Sequence, residues 1–193
     1  MTGRTHDLAA ITALGVVVFL HPPASVTLST ALLAVLANQL GGIAPDIDQP
    51  TAPLWRNLPV GKVVGKGFDK LLGGHRFLTH SLLGLALFGF LLHLLLGFLH
   101  PVMPHANAGY IWWAFMIGMV SHLFMDTLTK EGVPWLLPLP FKIGFPPVRA
   151  LRISTGKLGE TLLVFPGLLV LDILFCAMHY RWLTLFIHAH ITS

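Results

Sequence analysis

The chain has 193 residues, of which 54% are apolar and only 10% carry a formal charge. An ordinary soluble domain has about 25% charged residues, so the composition argues against a water-soluble globule and for lipid as the surrounding solvent. The net charge of +4 does not call for nucleic acid, because the basic residues stand in loops beside apolar runs, where topology and anionic lipid account for them. Cys176 is the only cysteine and lies in an apolar run, which excludes an internal disulfide and a cysteine-based zinc cage.

The first apolar run, Leu8 to Leu20, ends at His21-Pro22-Pro23. Thirteen residues rise only about 20 Å, short of a ~30 Å hydrocarbon core, so the helix should also take in Thr5, His6 and Asp7. With Arg4 before it, the run resembles a secretory leader, but no small-residue cleavage site precedes His21, and a retained first helix is expected. A second run, Val26 to Leu40, meets Gly41, Gly42 and Pro45, a helix-ending signal that leaves Asp46 and Asp48 at its end. Residues 49–74 are turn-rich and basic; Leu58 to Leu72 could form an interfacial amphipathic helix or an ordinary loop weakened by Gly61, Gly65 and Gly67.

The third run spans Thr79 to His100, with Thr79 or Ser81 as its cap. The fourth spans Ala108 to Leu128 and opens with an anchor of Tyr110, Trp112 and Trp113. Residues 129–159 hold five prolines and read as a cap over one face. The fifth run, Thr161 to Met178, contains Pro166 and Asp172, and the tail from Tyr180 to Ile191 reads as a short interfacial helix. The expected fold is a single all-α domain, a polytopic membrane protein of about five transmembrane helices.

Alternating the spans collects the start of the first helix, residues 45–79 and residues 126–160 at one face. Eleven of the twelve Lys and Arg residues fall there, which the positive-inside rule makes cytoplasmic. The same alternation gathers His6, Asp46, Asp48, His75, His80, His122 and Asp126 at that face. His122 and Asp126 lie four apart, one helical turn on the same side, in a segment where an unpaired carboxylate is costly. Asp46 and Asp48 could aim at a metal or belong to a solvated turn. His75 and His80 flank Arg76, which could neutralise an anion or serve topology. A metal site is favoured over a structural polar network, because four helix ends supply these residues. His21, His93, His100, His105 and His179 stand apart from it.

PDIDQP, GHRFLTHS and GMVSHLFMDTLTKEGVPWLLP, with an N-terminal TH, together resemble the YdjM-like family of bacterial inner-membrane proteins over residues 2–140. The resemblance implies a metal-dependent hydrolase, with a distant likeness to zinc-dependent phospholipase C, and carries its metal positions onto His6, Asp46, Asp48, His75, His80, His122 and Asp126. The family commonly has histidine where this chain has Gln49, which puts the metal count in doubt. Thr129 and Gly132 are expected to serve a turn at the rim, with Trp135 at the interface.

The expected activity is hydrolysis of an amphiphilic phosphoester or ester, such as a phospholipid. A divalent metal, zinc first and manganese or iron next, as one or two ions, would polarise the scissile group and activate water. Asp48 or Asp126 would accept a proton and Arg76 would meet the developing charge. Asp172 and His93 support a transporter or ion-binding module as the rival, and a packing role for the polar network is the third reading. Homodimerisation through Gly84, Gly89 or Gly118 is an expectation, since small residues allow helices to approach.

Overall fold

The computed structural model describes residues 1–23, 25–71, 76–139 and 141–191. Among these there is no strand, only isolated bridges between Thr129 and Ile153 and between Val133 and Ile143. Five helical stretches are long and apolar enough to cross a membrane: Gly3–Leu20, Leu28–Asp48, Leu82–Val102, Ala108–Thr127 and Glu160–Met178. The protein is therefore an all-α, polytopic membrane protein.

Helix α1 (Gly3–Leu20) begins where the length requirement placed it, so His6 lies in its first turns. Helix α2 (Leu28–Ile43) is capped by Thr27, whose side chain accepts from the Thr30 amide, and runs into a 3₁₀ turn, Ala44–Asp48, with Pro45 at its start. In residues 49–74 two short helices form, α3 (Pro53–Arg56) and α4 (Gly61–Leu71), the second placing Lys62, Lys66 and Lys70 at helical spacing. Helix α5 (Leu82–Leu99) is capped by Ser81, which accepts from the Gly84 amide. Thr79, the other expected cap, is used elsewhere.

Helix α6 (Ala108–Thr127) is the most buried span. It packs against α1, α2 and α5, and α1 in turn contacts α7 (Phe165–Met178). The α2–α6 contact is the closest, and its cause is local: a Cβ on Gly118 would overlap the Asn38 carbonyl, and one on Gly41 would overlap the Phe115 carbonyl. Asn38 Nδ2 donates to the Ala114 carbonyl at 3.1 Å, and Trp112 Nε1 donates to the Gly89 carbonyl at 2.7 Å. These bonds satisfy polar groups that lipid could not. Gly84, Gly89 and Gly118 all face atoms of this same chain.

The last span begins at Glu160, one residue before the expected start, with a wide π turn over Glu160–Val164. Pro166, which has no N–H, sits at the start of α7, and the Phe165 amide reaches back five residues to the Glu160 carbonyl. Phe90, Leu94 and Phe98 on α5, and Leu169 and Ile173 on α7, are exposed and meet acyl chains in a bilayer. Helix α8 (Tyr180–Ile191) forms the tail.

Gly118→Leu should therefore separate α2 from α6 and cost about 1–3 kcal/mol, read as a lower midpoint of thermal unfolding in detergent. Gly97→Ala, where an added methyl meets open space, should leave that midpoint unchanged; equal effects would contradict the packing account.

Candidate metal centre

Four separate backbone pieces deliver the polar side chains to one end of the bundle. Helix α1 brings His6 in its first turns, the 3₁₀ turn after α2 brings Asp46 and Asp48, the segment before α5 brings Arg76, Thr79 and His80, and the last turns of α6 bring His122 and Asp126. His6, His80, His122, Asp48 and Asp126 are all buried, and Asp46 is 21% exposed.

The 3₁₀ turn explains why PDID does not act as a double claw. With three residues per turn, side chains two apart point in different directions. Asp46 Oδ1 faces the imidazoles, 3.9 Å from His80 Nε2 and 3.8 Å from His122 Nε2. Asp48 turns the other way: its Oδ2 accepts from the Arg76 amide at 3.0 Å and from the Thr79 hydroxyl. Asp48 thus organises the segment that carries His80, and its Oδ2 lies 3.8 Å from His80 Nδ1.

The hydrogen bonds assign both tautomers. His122 Nδ1 lies 2.6 Å from the Gly42 carbonyl, which can only accept, so Nδ1 carries the proton and Nε2 the lone pair. The close α2–α6 crossing makes that contact possible. The Thr79 hydroxyl proton is committed to Asp48, so its oxygen accepts from His80 Nδ1 at 3.0 Å, and His80 Nε2 is turned toward Asp46 and Asp126.

Asp46, His80 and His122 then present ligand atoms within 4.8 Å of one another. His80 Nε2 and His122 Nε2 lie 3.7 and 3.9 Å from Asp126 Oδ2, in addition to their contacts with Asp46. Arg76 meets Asp126 Oδ2, while the two imidazoles and Asp46 form a donor set that a cation would hold together. His122 Nε2 is buried with no hydrogen-bond partner. Tetrahedral zinc with bonds of 2.0–2.1 Å sets its ligand atoms about 3.4 Å apart, so small side-chain shifts would close the observed distances. The residues fit a divalent metal.

A second group adjoins the first. His6, His122 and Asp126 also present ligand atoms within 4.8 Å of one another. His6 Nε2 lies 3.3 Å from Asp126 Oδ1, and the His6 ring stacks on His122 with centroids 3.7 Å apart and planes 8° from parallel. Asp126 Oδ1 also contacts the Met1 amine. His122 thereby belongs to both groups, and Asp126 stands between them, its Oδ1 3.3 Å from His6 Nε2 and its Oδ2 3.7 Å from His80 Nε2.

Arg76 completes the charge balance. Its Nη2 lies 2.5 Å from Asp126 Oδ2 and its Nη1 lies 2.9 Å from Glu131 Oε2. Its backbone has φ of 62°, left-handed geometry that is strained for a side chain of this size. The chain after Asp126 is held close by the Thr129 hydroxyl, which donates to the Asp126 carbonyl at 2.7 Å, and turns at Gly132, where φ is 67°.

Of the expected positions, His6, Asp46, His80, His122 and Asp126 are brought together, Asp48 supports them through Thr79 and Arg76, and His75 lies outside the described residues. His93 and His100 line a groove near the opposite end of α5, and His179 packs edge-on to Phe19. Glu160 went unrecognised. Fully buried, its Oε1 accepts from the Thr2 amide at 2.7 Å, the Thr2 hydroxyl at 2.7 Å and the Thr5 hydroxyl at 2.6 Å, while Oε2 accepts from the Gly156 amide at 2.8 Å. It ties the last span to the turn that carries His6. An acid at the mouth of an apolar run was the available signal.

Comparison with known proteins places this geometry in a family. The family described as YdjM inner membrane protein matches residues 1–191, and the chain belongs to it. A Bacillus subtilis (strain 168) protein named "Uncharacterized protein YvsG" is 28% identical over 165 residues, covering 85% of this chain and 88% of that protein. No solved structure matches.

Thr79→Val removes the acceptor that holds the His80 proton on Nδ1. Such losses behind a ligand typically weaken metal binding about 10–100-fold. A chelator-competition titration should show that drop in folded protein; unchanged affinity would refute the assigned tautomer.

Proposed function

We propose that this YdjM-family protein is a metal-dependent hydrolase of an amphiphilic phosphoester or ester, working at the headgroup layer of the cytoplasmic leaflet. The observation that carries the reading is the convergence of Asp46, His80 and His122, with Asp126 Oδ2 3.7 and 3.9 Å from the two imidazole Nε2 atoms and both Nδ1 protons held on the far side. Zinc suits imidazole and carboxylate together, with manganese and iron next. The two adjoining groups, one of His6, His122 and Asp126 and the other of Asp46, His80 and His122, are where one ion or two would sit. When bound, the metal supplies Lewis-acid polarisation of the scissile group and a lowered pKa for water.

The protein groups divide the remaining work. A cleft of about 360 Å³ lined by His6, Asp46, Asp7, Asn57 and Leu58 opens beside the cluster. Asp46 and Asp7 are the partly exposed carboxylates on that wall, and Asp46, with Oδ1 turned to the imidazoles, is the one beside the donor set and placed to accept a proton from an attacking water. Asp48 has no such opening: it is fully buried and accepts from the Arg76 amide and Thr79. Its role is to position His80. Arg76, between Asp126 and Glu131, restrains the Asp126 carboxylate, so the charge-stabilising task expected of it passes to the metal and to other cations near the cleft.

The cytoplasmic orientation rests on eleven of twelve basic residues lying on the site's side of the alternating spans. A homodimer is compatible with this function and is not required by it, since every group named comes from one chain.

Protein purified without chelator should hold at least one divalent metal per chain and hydrolyse phospholipid or a lipid-like ester in mixed micelles. His122→Ala and Asp126→Asn should lose the metal and lower turnover by about 100-fold or more. A folded protein that binds no transition metal and shows no metal-dependent hydrolysis across phosphoester and ester substrates would defeat the proposal.

A further inference from the structure

Next to the cleft that reaches His6 and Asp46 lies a second, of about 660 Å³, lined by Thr2, Arg4, Thr5, Arg56, Thr161 and Phe165 together with Gly3 and Asp7. Gly3 and Asp7 line both, so the two clefts adjoin at the first turns of α1. Arg4 and Arg56 are exposed, and among the described residues neither has an ion-pair partner. The threonines do not compete with them as donors: the hydroxyls of Thr2 and Thr5 are given to Glu160.

Both guanidinium groups are anchored to the turns that carry the candidate ligands. Arg4 precedes His6 by two residues on α1. Arg56 follows Trp55, a buried residue whose Nε1 donates at 2.9 Å to the Ile47 carbonyl, between Asp46 and Asp48. His6, which walls the first cleft, is itself buried and has a ring nitrogen, Nδ1, with no hydrogen-bond partner.

We infer that Arg4 and Arg56 form a phosphate-binding subsite that holds an anionic headgroup beside the metal centre. Guanidinium pairs recognise phosphate oxygens through planar, charge-assisted hydrogen bonds, and the positive end of α1 adds a favourable field. Asp7, at the seam, is the one carboxylate lining this cleft, and it disfavours a second negative charge. Two arginines against one carboxylate suit a singly charged phosphodiester. The subsite deepens the hydrolase reading by naming its substrate class, and rests on that reading only for what happens after binding.

The test uses the full chain in a neutral detergent and measures binding of phosphatidylglycerol and phosphatidylcholine, with glycerophosphoglycerol, a soluble phosphodiester with the same headgroup, as competitor. Wild-type protein should prefer phosphatidylglycerol by about tenfold or more, and the double variant Arg4→Gln/Arg56→Gln should abolish the preference. Arg4→Lys/Arg56→Lys should restore part of it, while Lys142→Gln, on a distant loop, should leave it intact. Competition by glycerophosphoglycerol identifies a soluble phosphodiester as sufficient; its failure to compete identifies the lipid headgroup with its chains. Equal affinity for the two lipids in wild type, or an undiminished preference in the double variant, would overturn the subsite. Metal content and turnover measured on the same samples separate this outcome from failure of the hydrolase reading, because headgroup preference is read without either.

Discussion

Asp126 is a carboxylate buried at the end of a membrane helix, and the rest of this site follows from how its charge is met. A buried, unpaired charge is costly in protein or lipid. Here Oδ2 contacts Arg76 and faces His80 and His122, while Oδ1 contacts His6 and the Met1 amine. The partners come from the start of α1, the segment before α5 and α6 itself, so satisfying one side chain forces these three to one place. The imidazoles hold their Nδ1 protons against Gly42 and Thr79 and turn Nε2 toward Asp46 and Asp126. The same constraint that organises the fold at this end therefore also makes it a cation site.

Helix packing sets the precision. Gly118 and Gly41 let α2 and α6 approach until Gly42 presents its carbonyl to His122. In lipid, helix association relies on this kind of close contact, since apolar burial drives it only weakly. Glu160 performs a related task from the other direction, drawing the last span onto Thr2 and Thr5 and so fixing the turn of α1 that bears His6. Neither the glycines nor Glu160 face the centre, yet both determine where its ligands stand.

Much of this was legible in residue order. The low charge content and the apolar runs imply five membrane helices, and alternation of those helices puts His6, Asp46, His80, His122 and Asp126 at one face. Their separate duties were not legible. Asp46 and Asp48 look equivalent in PDID, and only the 3₁₀ turn shows that one faces the imidazoles and the other holds Thr79. Arg76 looks like a free cation in GHRFLTH, because its carboxylate partners lie 50 and 55 residues away in sequence. Glu160 was hidden for the same reason, its partners lying at the opposite end of the chain. Arg4 and Arg56 read as topological charges until the fold lined one cleft with both.

The central claim is that imidazole and carboxylate from different helices hold a metal at this end of the bundle. X-ray absorption spectroscopy of the purified, zinc-loaded protein tests it most directly. The account predicts a shell of nitrogen and oxygen only, with imidazole scattering that diminishes in His80→Ala and again in His80→Ala/His122→Ala. A sulfur-containing shell, or an imidazole signal indifferent to both substitutions, would contradict it.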